Sequence, residues 1–301
     1  MNKSFKYSFL LMLGACIWGA AFVAQRQGMN YVGPFTFNGI RNFLGALVLF
    51  PFIKILDKNK APEDKSFFDK TLIIGGLVSG VFLFLASSAQ QIALKTSDAG
   101  KAGFVTALYI ILVPIFSLLL KKKPGKLIFI SVIFATIGLY FLCVKEGAGL
   151  TLGKEDPYLI ACAVLFACQI MAIDHFAPKV DCVKLSFWQF VVSGVMSLVP
   201  MAFEHPSMPA ILDAWLPIAY AGFLSSGVAY TLQVIGQKHV KASVASLVMS
   251  LESVFSVIFG FLLLHERMTV RETAGCLIMF AAIIFAQITP EKKESVKEAV
   301  M

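Results

Sequence analysis

The chain has 301 residues, of which 58% are hydrophobic and only 15% charged, with a mean hydropathy of +0.79. Water-soluble domains carry about 25% charged and about 45–50% apolar residues, so a soluble globular domain is excluded and a membrane protein fits. The net charge of +8 does not point to nucleic acid, because the lysines fall in loops between apolar runs, where membrane orientation accounts for them.

Ten apolar segments follow one another at roughly 5–25, 34–53, 71–92, 99–120, 127–144, 157–176, 185–203, 214–236, 242–264 and 273–289. Each is near the ~20 residues a helix needs to cross a bilayer. Lys3 and Lys6 before the first segment imitate a secretory signal, with imperfect cleavage sites at Gly14-Ala15-Cys16 and Gly19-Ala20-Ala21. The polar Gln25-Arg26-Gln27 and the many later segments favour an uncleaved first span. Trp18 lies in that span. Arg41 lies inside span two, where it either bonds a neighbouring helix, snorkels to the interface or touches substrate. Gln90 and Gln91 close span three. Asp98 and Lys101, at the external end of span four, are spaced for local pairing. Further along, Thr106 and Tyr109 point to about the same side, and Pro114 removes a backbone bond and is expected to kink the helix. Span six carries Gln169 and ends at Asp174-His175, which read as interfacial. Tyr230, Thr231, Gln233 and Gln237 run along span eight. Trp188 and Trp215 stand near span ends, where an aromatic belt is the ordinary explanation.

Span nine, Ala242–Leu264, holds a carboxylate, Glu252, ~16 Å from either end at ~1.5 Å rise per residue. On a helical wheel Ser243, Ser246, Ser250, Glu252, Ser253, Ser256 and Gly260 share one half. A charge at that depth costs at least ~2.5–3.5 kcal/mol on insertion scales, so it faces protein or a water-filled cavity. Two readings stay open: a packing face of small residues with one protonated, hydrogen-bonded Glu, or a cavity-lining site.

Of the 26 Lys and Arg residues, 18 fall on one side of the membrane and 7 on the other when the N-terminus is placed inside, with Arg41 within a span. This positive-inside bias predicts that both termini are cytoplasmic. A weak internal repeat is also present. Ser79-Gly80-Val81 recurs as Ser226-Gly227-Val228, Gln90 as Gln237 and Leu118-Leu119-Leu120 as Leu262-Leu263-Leu264, while Arg41 falls opposite Gln189 and Trp18 opposite Phe166, at offsets of 144–148. A repeat of five spans must place its second copy upside down, an arrangement that encloses a midplane cavity in many transporters.

Enzyme signatures are broken. His265-Glu266-Arg267-Met268-Thr269 lacks the second His of a zinc pair. Asp98-Ala99-Gly100-Lys101 lacks the upstream glycine of a phosphate loop, so neither metal nor ATP is expected. No Ser/His/Asp set stands out. The six cysteines form no CxxC and read as packing residues.

These stretches resemble the EamA-type transporters of the drug/metabolite transporter superfamily. The resemblance rests on Ile17-Trp18-Gly19-Ala20-Ala21-Phe22-Val23, on Pro34-Phe35 through Arg41-Asn42-Phe43, and on Thr96-Ser97 with the run 99–114. Ser250-Leu251-Glu252-Ser253-Val254-Phe255 with LLLHERMT at 262–269 also carries it. The resemblance implies ten helices in two inverted repeats, with spans one, three, four, six, eight and nine around a central cavity. It further implies secondary transport, commonly export of amino acids or other small metabolites, in a bacterial inner membrane. Three departures mark divergence between the halves: Ser253 where the family usually has Pro, an inserted Asp98, and LLLKKKP closing the first half.

The expectation is therefore an all-α, multi-pass membrane protein, with residues 1–150 as the first repeat and 151–301 as the second, followed by a short polar tail. Its expected function is a permease for a small metabolite working by alternating access, with proton or counter-substrate coupling and without a cofactor. The cavity candidates are Trp18, Gln90, Lys101, Tyr109, Gln169, Tyr230, Gln233 and Glu252; the structural or gating candidates are Arg41, Asp98 and Pro114. The rivals are a lipid-modifying membrane enzyme and a non-transporting helix bundle.

Overall fold

A computed structural model describes residues 3–58, 66–97, 99–122, 124–144, 153–264 and 269–287, and all regular structure among them is helical. Helices α1 (Lys3–Gly28), α2 (Pro34–Asp57) and α3 (Lys70–Ala93) are continuous. The fourth apolar segment is two pieces, α4 (Ala99–Ala107) and α5 (Tyr109–Leu119), joined at Leu108. Next come α6 (Lys126–Cys143), α7 (Asp156–Phe176), a 3-10 turn (Ala177–Lys179) and α8 (Cys182–Phe203). A short surface helix, α9 (Met208–Asp213), precedes the eighth segment. That segment starts as α10 (Trp215–Ala219), widens into a π-helix (Tyr220–Tyr230) and tightens again as α11 (Thr231–Gln237). The ninth is α12 (Ala242–Met249) and α13 (Leu251–Leu264), joined at Ser250; the tenth is α14 (Val270–Gln287). Among the described residues, nine helical stretches are long and apolar enough to cross a membrane.

The helix starts follow local chemistry. Asp69 accepts from Leu72 N, and Asp181 accepts from Val183 N and Lys184 N, each satisfying amides that have no partner within the helix. Thr269 and Glu272 form a reciprocal cap: Thr269 N donates to Glu272 Oε2 at 2.7 Å and Glu272 N to Thr269 Oγ1 at 3.2 Å. This cap starts α14 three residues earlier than the apolar pattern alone predicts. At the end of α5, Lys121 takes a left-handed conformation (φ 59°). Lys122 N then reaches back to Ser117 O, closing the helix. The turn delivers the Lys122 ammonium to Asp174 at the end of α7, where the two form an ion pair.

Packing explains which faces meet. α6 packs along α14, α2 along α8, α3 against α7 and α8, and α1 along α13. Glycines let backbones approach. A methyl at Gly19 would meet the Phe255 and Ser256 main chain at 2.8 Å, and one at Gly275 would meet Gly138 O at 2.7 Å. Small residues at helix seams are the usual means of tight packing where lipid supplies no hydrophobic drive. The outward faces stay apolar. Leu47, Ile55, Ile133, Val199, Leu277 and Ile284 are all more than half exposed, a surface that only acyl chains can cover.

The α2–α8 seam is fastened at both ends. At one end the Glu204 carboxylate accepts from Phe35 N (3.0 Å), Thr36 N (2.7 Å) and Thr36 Oγ1 (2.6 Å), filling the positive N-terminus of α2. Gly33 makes room for it, since a side chain there would run into that carboxylate. At the other end Lys184 Nζ lies 2.8 Å from Asp57 Oδ2 with its side chain 1% exposed, over the ring of Phe67. In between, Asn42 Nδ2 donates to Ser193 Oγ at 2.9 Å. Lys184, counted among the inside lysines, is held in this buried pair, and the inside bias keeps its sign without it. Trp188 likewise does more than sit in an aromatic belt: its Nε1 donates to Phe67 O at 2.9 Å.

Candidate functional site

A cavity lies between α1, α3, α5, α7, the π-helix, α11, α12 and α13, with Arg41 entering from α2. These are segments one, three, four, six, eight and nine, plus one residue of segment two. The centres of water molecules can occupy about 40 Å³ of it, room for a few waters in this conformation. Trp18, Gln90, Tyr109, Gln169, Tyr230, Gln233 and Glu252 all line it, and so does Arg41. Pro114 does not; α5 runs through it, and the interruption of the fourth segment falls at Leu108 instead. Asp98 lies outside the described residues, and the side chain of Lys101 does too.

Six further residues complete the wall: Phe22, Gln25, Phe166, Ile170, Ser225 and Met249. Three of the six had a legible signal. Phe22 and Gln25 lie four and seven residues beyond Trp18, on the same helical face. Phe166 is the repeat counterpart of Trp18. Ser225 had none, because its aim depends on the π-helix; such widened turns are frequent at functional sites.

The two charged groups of the cavity are anchored separately. Tyr109 Oη donates to Glu252 Oε1 at 3.1 Å. Arg41, 2% exposed, donates from Nη1 to Gln25 Oε1 at 3.1 Å and lies beside the Tyr230 hydroxyl. Gln25 is held from behind by Gln91, whose Nε2 donates to the Gln25 carbonyl at 3.2 Å. Tyr230 sits between the charges, its ring edge-on to Trp18 at 4.8 Å and to Phe190 at 6.0 Å. Four amides, Gln189, Gln169, Gln233 and Gln237, bond in series along α8, α7 and α11.

The interruption of the ninth segment places Glu252. Ser250 has φ −62° and ψ −12°, and Ser253 N bonds Ser250 O three residues back, a tightened turn. Leu108, at φ −61° and ψ −8°, has nearly the same conformation, with Ile111 N bonded to Leu108 O. Each interruption precedes a cavity group: Tyr109 directly follows Leu108, and Glu252 is two residues after Ser250. Ser250 needs no proline; its Oγ donates to Leu247 O at 2.7 Å. The single-wheel reading of span nine also gives way here. α12 is buried on every side, Leu247 and Val248 as deeply as Ser243 and Ser246, and Ser243 faces Ser117 of α5 at 3.5 Å.

Apolar outer faces around a buried cavity carrying one guanidinium and one carboxylate define a multi-pass membrane protein with a polar interior site. The sequence profile of the EamA-like transporter family matches residues 5–144 and again residues 154–287, and the chain belongs to that family; it is a membrane transporter. An uncharacterized transporter of Archaeoglobus fulgidus is 29% identical over 279 residues, covering 92% of this chain and 84% of its own length. The uncharacterized transporter YoaV of Bacillus subtilis is 24% identical, covering 92% of this chain and 95% of its own. A crystal structure of 17% sequence identity superposes with a TM-score of 0.76 over 93% of this chain and 96% of its own, which establishes the shared fold.

Proposed function

We propose that the chain is a secondary transporter that moves a small metabolite, such as an amino acid, by alternating access through this cavity. The observation that carries the reading is one buried cavity lined by both Arg41 and Glu252 among polar side chains with apolar walls, the mix expected where a small polar ligand is held. Intramembrane charges of this kind mark substrate and ion pathways. The two halves are inverted five-span repeats. Supporting this are the double family match, the like-shaped interruptions at Leu108 and Ser250, and seams that pair off: α3 on α8 with α2 on the π-helix, and α5 on α7 with α1 on α13. The positive-inside count supports cytoplasmic termini, and the resemblance supports a bacterial inner membrane. Alkaline phosphatase fused after Glu146 is expected to be active and after Met301 inactive; the reverse pattern rejects the orientation.

Screening the purified protein for thermal stabilisation against a metabolite library tests the reading, since a ligand that binds only the folded state raises the melting temperature. The hit is then loaded into proteoliposomes. Saturable uptake against unlabelled ligand is the expected result, whereas flux that never saturates belongs to a channel-like bundle.

A further inference from the structure

The amide series fixes its own direction. Gln237 Nε2 donates to the Ile170 carbonyl at 3.0 Å, and a main-chain carbonyl can only accept, so the two ends of this amide are assigned. Gln237 Oε1 then requires a donor, which is Gln233 Nε2 at 3.0 Å. The other N–H of Gln233 goes to Gln169 Oε1 at 3.1 Å, and Gln169 Nε2 continues to Gln189 Oε1 at 3.3 Å. Both donors of Gln233 are consumed, and its Oε1 is left as a buried acceptor with no partner on a side chain only 2% exposed. That side chain lines the cavity. Two lining residues have the opposite vacancy: Trp18 Nε1 and Arg41 Nε are buried donors with no partner. Unpaired buried polar atoms are costly, and a ligand that pairs them recovers the cost.

We propose that Gln233 Oε1 reads the ammonium of a small zwitterionic metabolite whose carboxylate is received by Trp18 Nε1 and Arg41 Nε. Gln237 is the positioning residue that keeps Gln233 turned acceptor-first. The assignment rests on reading this cavity as the substrate site. A zwitterion suits it because the unpaired lining atoms named above are one acceptor, which takes an ammonium N–H, and two donors, which a carboxylate accepts from. Phe22, Phe166, Ile170 and Met249 supply apolar walls for the rest of the ligand.

The test uses the full chain in nanodiscs, titrated with the twenty amino acids and, for the tightest, with its decarboxylated amine and its deaminated acid. The amino acid is expected to bind at least about ten-fold more tightly than either counterpart. Gln233→Leu should cost about ten- to hundred-fold in amino-acid affinity and leave the deaminated acid unchanged. Gln237→Leu should weaken the amino acid as well, although it touches no ligand, and Gln237→Glu, which keeps an acceptor facing Gln233, should restore it. Should Gln233→Leu not fold, Gln233→Glu serves, with affinity for the amine expected to rise relative to the acid. Equal binding of all three ligands, or equal loss of all three in Gln233→Leu, overturns the proposal. Binding and flux of some other metabolite class with no amino acid bound also overturns it and leaves the transporter reading standing; absence of flux for every metabolite tried removes that reading instead.

Discussion

Glu252→Gln is expected to leave the fold intact and to abolish the pH dependence of transport. The substitution keeps the side chain's shape and its acceptor for the Tyr109 hydroxyl, which donates to Oε1, so packing between α5 and α13 has no reason to change. What it removes is the only carboxylate lining the cavity among the described residues. The titratable or charged groups around it are Tyr109, Tyr230 and Cys162, with Arg41 beyond Tyr230. Intramembrane carboxylates are the usual proton carriers of transport pathways, so the pH dependence is assigned to Glu252. Rates measured in proteoliposomes between pH 5.5 and 8.5 should vary for the native protein and be flat for the variant. Native-like pH dependence in Glu252→Gln would return the residue to a packing role, and loss of folding would make it structural.

The second large effect concerns stability. Lys184→Met is expected to destabilise the protein by about 3–5 kcal/mol, the usual cost of stranding one partner of a buried ion pair. Asp57 Oδ2, on a side chain 10% exposed, would lose its 2.8 Å contact with the ammonium. Adding Asp57→Leu should recover most of the loss, because a well-packed apolar pair replaces buried ions at little or no net cost. Thermal unfolding of the single and double variants in one detergent decides it. A single variant as stable as the native protein would mean that the α2–α8 seam does not depend on this pair.

Much of the membrane architecture was legible because apolar run length is a direct reading of bilayer thickness. Helix interiors followed the runs closely; the starts shifted where caps such as Thr269 with Glu272 overrode hydropathy. Interruptions were not legible. Leu108 and Ser250 are ordinary helix residues, and Pro114, the residue that drew attention, lies within a continuous stretch of α5. The π-helix was equally hidden, since Tyr220–Tyr230 has no composition that distinguishes it from an α-helix. At the cavity, polar side chains inside apolar runs were the readable signal, because each must find a partner or water. The unbroken apolar stretches gave no such signal, so Ile170 and Met249 passed unnoticed. The pairing of Lys184 was hidden for a related reason: a lysine near a helix start reads as a loop charge until its partner, Asp57, is brought beside it from the far end of α2.

The claim that this cavity is the transport path is tested most directly by filling it. Ser225 is buried, small and aimed into the cavity, so Ser225→Phe occupies the space while leaving Arg41, Gln233 and Glu252 in the chain. Counterflow of the stabilising metabolite in proteoliposomes should fall at least about ten-fold, with the apo protein's melting temperature held within a few degrees of native. Undiminished counterflow in a folded Ser225→Phe protein would contradict the account, because the substrate would then have to cross by another route.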